Sequence, residues 1–107
     1  MIARIWRGRI RASDVTAYRE YIGATGLVDY RATPGNQGAY MLTRIGGETA
    51  HVITLSLWDR LESIRAFAGD DLTRARYYPQ DERFLLEFPE HVEHFDVLGN
   101  STNTPAK

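Results

Sequence analysis

The stretch Leu55–Pro79, LSLWDRLESIRAFAGDDLTRARYYP, constrains the fold more than any other part of the chain. Leu55–Trp58 ends an apolar strand. Asp59 is a good N-cap, and Glu62 three residues later completes an Asp-x-x-Glu box that satisfies the first free N–H groups of a helix. Leu61, Ile64, Phe67 and Ala68 fall on one helical face. Gly69 suits the left-handed position after a helix. Asp70 or Asp71 caps a second short helix with Leu72 and Ala75 on its narrow apolar face, and Pro79 stops it. This order predicts Trp58, Phe67, Tyr77 and Tyr78 around a common volume between helices and sheet.

The rest of the chain supplies the sheet. Ile2–Ile10 alternates as a first strand, with Ile2, Arg4 and Trp6 on one side and Ala3, Ile5 and Arg7 on the other. Gly8 marks a bulge or a close approach of another backbone. Ser13 or Asp14 caps a helix whose stripe is Val15, Tyr18, Tyr21 and Ile22, ended by Gly23 and Gly26. Leu27–Gly38 reads as a turn-rich passage in which Thr33-Pro34-Gly35-Asn36 fits a type II turn. Ala39–Ile45 and Glu48–Trp58 are strands joined through Gly46-Gly47, a hairpin signal. In the second of these, His51, Ile53, Leu55 and Leu57 share one face, and Ala50, Val52, Thr54, Ser56 and Trp58 the other. Phe84, Leu85, Leu86 and Phe88 pack a connecting segment, and His91–Leu98 is a last strand.

The order β-α-β-β-α-β is the ferredoxin-like split βαβ arrangement of an α+β fold. Both sheet faces carry apolar groups, but helices are available for only one. The other face therefore calls for a second copy, a homodimer packed sheet against sheet. Residues 1–98 are read as a single domain, and 99–107 as a disordered C-terminal tail.

Bulk properties exclude several classes. At 107 residues and a net charge of −1, nothing favours nucleic acid or an anionic membrane. The absence of cysteine removes disulfides, thiolate metal sites and cysteine nucleophiles. No apolar run approaches the ~18 residues of a membrane span. Arg4 and Arg7 break the first apolar segment too early for a signal peptide. A cytoplasmic location is the expectation. His91 and His94, three apart on a strand, face opposite ways and are no chelating pair, so no metal is expected. Asp81-Glu82-Arg83 reads as surface charge, with Asp81 free to cap or to pair with an arginine. Arg74 and Arg76 read as solvated partners of a helix dipole.

Nearly all of residues 1–98 resembles the antibiotic biosynthesis monooxygenase (ABM) family of dimeric α+β barrels. The resemblance is carried by WRG at Trp6–Gly8, TPGNQG at Thr33–Gly38, LSLW at Leu55–Trp58, AFAG at Ala66–Gly69 and YYPQD at Tyr77–Asp81. It implies a pocket between each sheet and its helices. It also implies a cofactor-independent monooxygenase acting on a small aromatic or polyketide-like phenol or quinone, or a non-catalytic dimeric small-molecule-binding or accessory protein on the same scaffold. The heme-degrading branch carries Asn on the first strand, then Trp and His on the second helical region. Here those places hold Trp6 or Arg7, Phe67 and Tyr77, so no heme and no other cofactor is expected.

A phenol-oxidising site needs flat walls, a donor for the phenolate and a base. Trp6, Trp58 and Phe67 are the candidate walls, with Tyr78 and His94 beside the substrate. Arg7 or Arg4 is the oxyanion partner, Tyr77 or Tyr78 the hydrogen-bond donor, and His51 or His94 the base. The catalytic set expected is His51, Arg7 and Tyr77.

Overall fold

The computed structural model describes residues 1–101. Its elements are β1 (Ile2–Arg11), α1 (Val15–Ala24), α2 (Gly26–Ala32), β2 (Asn36–Gly46), β3 (Thr49–Trp58), α3 (Arg65–Ala68) and β4 (Glu93–Asp96). Single 3-10 turns occupy Ala12–Asp14, Leu61–Ile64 and Asp81–Arg83. The four strands form one antiparallel sheet in the order β2-β3-β1-β4. This α+β arrangement is compatible with a ferredoxin-like fold.

Strand alternation sorts the side chains. Arg4, Trp6, Gly8 and Ile10 of β1 and Ala50, Val52, Thr54, Ser56 and Trp58 of β3 are buried on the inner face. Two clusters cover that face. Tyr18 and Ile22 of α1 pack with Trp6, Ile10, Val52, Phe84 and Leu85. Tyr30 of α2 and Phe67 of α3 pack with Trp58 and Ile64. The outer face has no cover within the described residues. There the register sets Leu42 beside Ile53 beside Arg7, and Tyr40 beside Leu55 beside Ile5 beside Glu93.

The turns largely follow their residues. Asn36 N–H donates to Thr33 O at 3.1 Å, and Gly35 has φ +91°, as a type II turn requires. The β2–β3 link is Gly47-Glu48, one residue beyond the expected Gly46-Gly47, with Gly47 at φ +68°. Glycine at the first central position fits the hairpin turn that leaves its second residue at negative φ.

Four expectations are corrected. Gly26 starts a helix instead of ending one, so Gly26–Ala32 is helical where a loop was expected. The break falls at Thr25 (φ −121°, ψ −86°), whose hydroxyl donates to Tyr21 O at 2.8 Å and whose carbonyl accepts from Asp29 N–H at 3.1 Å. One residue thus closes α1 and opens α2. The helix expected after Asp59 is a 3-10 turn followed by one α turn, and Asp59 Oδ1 takes the Ser63 hydroxyl at 2.6 Å in place of a capping bond. The second short helix is absent. Ala75 N–H donates to Glu90 O and Val92 N–H to Thr73 O, both at 2.8 Å, so antiparallel pairing with the segment around His91 takes the backbone groups a helix would need. The last strand is shorter, Glu93–Asp96, although Val97 N–H still reaches Met1 O at 2.9 Å. Of the expected tail, 99–101 has no regular structure and 102–107 lies outside the described residues. Among the described residues no helix is long and apolar enough to cross a membrane.

Candidate functional site

A cavity lies between the inner sheet face and the helices. β1 gives its floor, Arg4 and Trp6, and β3 adds Thr54. Tyr18, Tyr30 and Phe67 come from the three helices, Tyr77 and Tyr78 from the irregular stretch that follows α3, and Asp81 from the first position of the Asp81–Arg83 turn. Gly8 shapes the floor. A Cβ there would stand 2.7 Å from Trp6 Cζ2, so the indole lies folded back over the strand. That pose directs Trp6 Nε1 to the Tyr77 hydroxyl at 3.1 Å, and this hydroxyl donates in turn to Pro89 O.

Arg4 is 2% exposed. Its guanidinium donates to Leu72 O at 2.5 Å and Arg74 O at 2.8 Å and meets His94 Nε2 at 3.0 Å. It pairs with no carboxylate among the described residues. Burial pulls its pKa down, partly offset by the nearby Tyr30 hydroxyl. Arginine only donates, so His94 Nε2 must accept and carries no proton. Burial, then the charge on Arg4, holds the His94 pKa below its ordinary value. The floor of the cavity is thus a desolvated positive charge without a counter-ion, among aromatic rings.

Asp81 is the second buried charge-bearing group, 3% exposed. Its Oδ2 accepts the Tyr78 N–H at 2.6 Å, while Oδ1 has no partner among the described residues. Burial raises its carboxyl above the usual range, with the Tyr78 bond opposing. Burial also raises the hydroxyls of Tyr18, Tyr30, Tyr77 and Tyr78, keeping them protonated at neutral pH.

The mouth is latched. Asp29 Oδ2 accepts from the Tyr78 hydroxyl at 2.6 Å and from Arg76 Nη2 at 3.1 Å. The Arg76 guanidinium lies 4.9 Å from the Phe67 ring centre and 5.0 Å from that of Tyr78. Arg76 is solvent-exposed as expected, but it sits between two aromatic faces instead of at a helix end, since no helix forms there. The free volume behind the latch is about 40 Å³. Ligand sites run to roughly 300–1,000 Å³, so an aromatic ring enters only when side chains at the mouth move.

The sheet separates the residues named from the sequence. Trp6, Phe67, Tyr77 and Tyr78 line the cavity. Trp58 is fully buried behind it, its Nε1 donating to Ser56 Oγ at 2.9 Å. His94 reaches the cavity only through Arg4. His51 and Arg7 stand on the outer face, Arg7 paired with Glu93 at 3.2 Å. His51, Arg7 and Tyr77 therefore form no single constellation, because alternate strand residues point to opposite sides. Arg4 takes the cationic place considered for Arg7 or Arg4. Asp81, read as surface charge, is buried because the 3-10 turn at Asp81–Arg83 rolls it inward with Phe84 and Leu85. Tyr30 and Asp29, in the unforeseen α2, were not named at all. No three His, Asp or Glu side chains among the described residues converge as a metal site would need. No family model matches the chain, and no curated protein matches it.

Proposed function

We propose that the cavity binds a small aromatic phenol or quinol, that Arg4 holds its oxygen as the anion develops, and that the chain is a cofactor-independent monooxygenase of such molecules. This reading keeps to the resemblance to the ABM family and its dimeric α+β barrel. The observation that carries it is Arg4, a buried cation with no carboxylate partner on the floor of an aromatic cavity. A flat, weakly acidic ligand is what such a site completes. An electron-rich phenolate passes electrons to dioxygen itself. One oxygen atom joins the ring to give a quinone, and the other leaves as water. The proposed working form is a cytoplasmic homodimer joined through the outer sheet face.

One feature favours the non-catalytic, ligand-binding alternative: the Tyr77 hydroxyl is already spent on Trp6 and Pro89. The deciding experiment offers the protein phenol, anisole and benzylammonium at neutral pH by ligand-observed NMR, then follows oxygen uptake with hydroquinones and anthrones. Catalysis predicts phenol preferred over both competitors, and one dioxygen consumed per quinone formed with one labelled oxygen atom in the product and no hydrogen peroxide released. Binding without oxygen uptake establishes the accessory reading. Equal binding of phenol and benzylammonium overturns the role given to Arg4.

A further inference from the structure

The cavity wall holds two buried polar groups of opposite character that do not pair with each other. Arg4, from β1, offers donors. Asp81, from the turn before Phe84, offers an acceptor. Asp81 Oδ2 has a structural duty, tying down the Tyr78 N–H at 2.6 Å. Oδ1 has none, and the residue is 3% exposed. A buried acceptor left without a donor is costly, and native structures rarely keep one without a use. Around it stand Tyr18 from α1 and Tyr77 and Tyr78 from the same stretch, all among the walls of the cavity.

We infer that the ligand carries two polar functions on one ring: an oxygen that Arg4 holds, and a separate hydroxyl or N–H that donates to Asp81 Oδ1. Within the phenols and quinols proposed above, Asp81 selects those with a second donor, dihydric phenols and their amino analogues, over monohydric phenols. This rests on the cavity being the ligand site, as proposed above. Discrimination is strong in such an arrangement, because an analogue lacking the second donor leaves a buried carboxylate oxygen unpaired.

The test compares hydroquinone, resorcinol and 4-methoxyphenol, of which the last keeps one hydroxyl and replaces the second by an acceptor alone. Binding is measured anaerobically by calorimetry on the wild type and Asp81→Asn. Hydroquinone or resorcinol should bind the wild type at least about tenfold more tightly than 4-methoxyphenol. In Asp81→Asn the amide oxygen can keep the Tyr78 N–H, and the amide nitrogen then replaces Oδ1. The preference should collapse or reverse toward 4-methoxyphenol, which a purely structural Asp81 would not produce. Equal wild-type affinity for all three overturns the inference, whether or not the variant folds. Failure of every phenol to bind the wild type overturns the proposed function instead.

Discussion

Arg4 and His94 face each other across neighbouring strands, guanidinium nitrogen to Nε2 at 3.0 Å, a basic pair with no acid between them. The contact exists only while His94 is neutral. Its pKa is depressed on folding, by burial first and by Arg4 second. The unfolded chain therefore takes up the proton first, and stability present above about pH 6.5 is lost as pH falls toward the folded value. Asp81 has the opposite sign. Its raised carboxyl favours the folded state at low pH and gives that up as pH rises through the folded value. His94→Gln, whose amide oxygen can still accept from Arg4, should flatten the loss of stability as pH falls below about 6.5. Urea unfolding at several pH values measures it, and an unchanged slope would count against the pair.

Gly8 should resist any side chain. The Trp6 ring occupies the space a Cβ would need, with Cζ2 at 2.7 Å. Gly8→Val must push the indole off the strand, breaking its bond to Tyr77 and opening the cavity floor. Overpacking of this kind costs about 1–3 kcal/mol. A destabilisation in that range should come with a shift of tryptophan emission to longer wavelength. An unshifted spectrum would mean that the ring has another place to go.

Ser56 is wholly buried, and its Oγ is the partner of the Trp58 indole N–H at 2.9 Å. Removing the oxygen strands a buried donor. Ser56→Ala should therefore cost about 1–3 kcal/mol, more than the lost atom alone suggests. A denaturant midpoint close to wild type would show that the N–H finds a second acceptor.

The sheet was legible in the sequence because a two-residue period leaves little freedom. Alternation in β3 already put His51 and Trp58 on opposite faces, and alternation in β1 did the same for Arg7 and Trp6. The expected catalytic set of His51, Arg7 and Tyr77 ran against that pattern by joining outer residues to an inner one. The helical layer was less legible. Gly26 carries a strong local stop signal, yet it sits buried with the Tyr78 ring 3.8 Å from where its Cβ would be. Packing overrode propensity there and brought Asp29 and Tyr30 into the site. Asp81 was hidden by its company, since Asp-Glu-Arg reads as surface charge. Only the inward roll of the following Phe84 and Leu85 reveals that the first member of the trio is buried.

The proposed homodimer makes a clear demand on the outer face. Tyr40, Leu42 and Phe95 are about half exposed there, around Ile53 and Leu55. A stable interface needs roughly 800 Å² from each chain, and this sheet face has no cover among the described residues. Ile53→Asp sits at its centre and points away from the cavity. Light scattering should find two 12.2-kDa chains associated in the wild type and single chains in the variant, with secondary structure unchanged. Single chains in the wild type at micromolar concentration would refute the dimer.

Asp29 governs access in this arrangement. Its Oδ2 holds both Tyr78 and Arg76 at the mouth, and the cavity behind them is too small for a ring until they part. Asp29→Asn removes the charge that Arg76 pairs with. Both partners are more than a third exposed, so the pair contributes about 1 kcal/mol or less to stability. The effect should appear in kinetics. Phenol association should quicken about threefold to tenfold, since each ~1.4 kcal/mol off an opening barrier is a factor of ten, while the closed complex loses part of the same interaction and dissociates faster too. Stopped-flow binding would separate the two rates, with hydrogen exchange reporting opening of residues 70–80. If association is unchanged while the amides of that stretch exchange faster, the ligand reaches Arg4 by another route and Asp29 only fastens the chain.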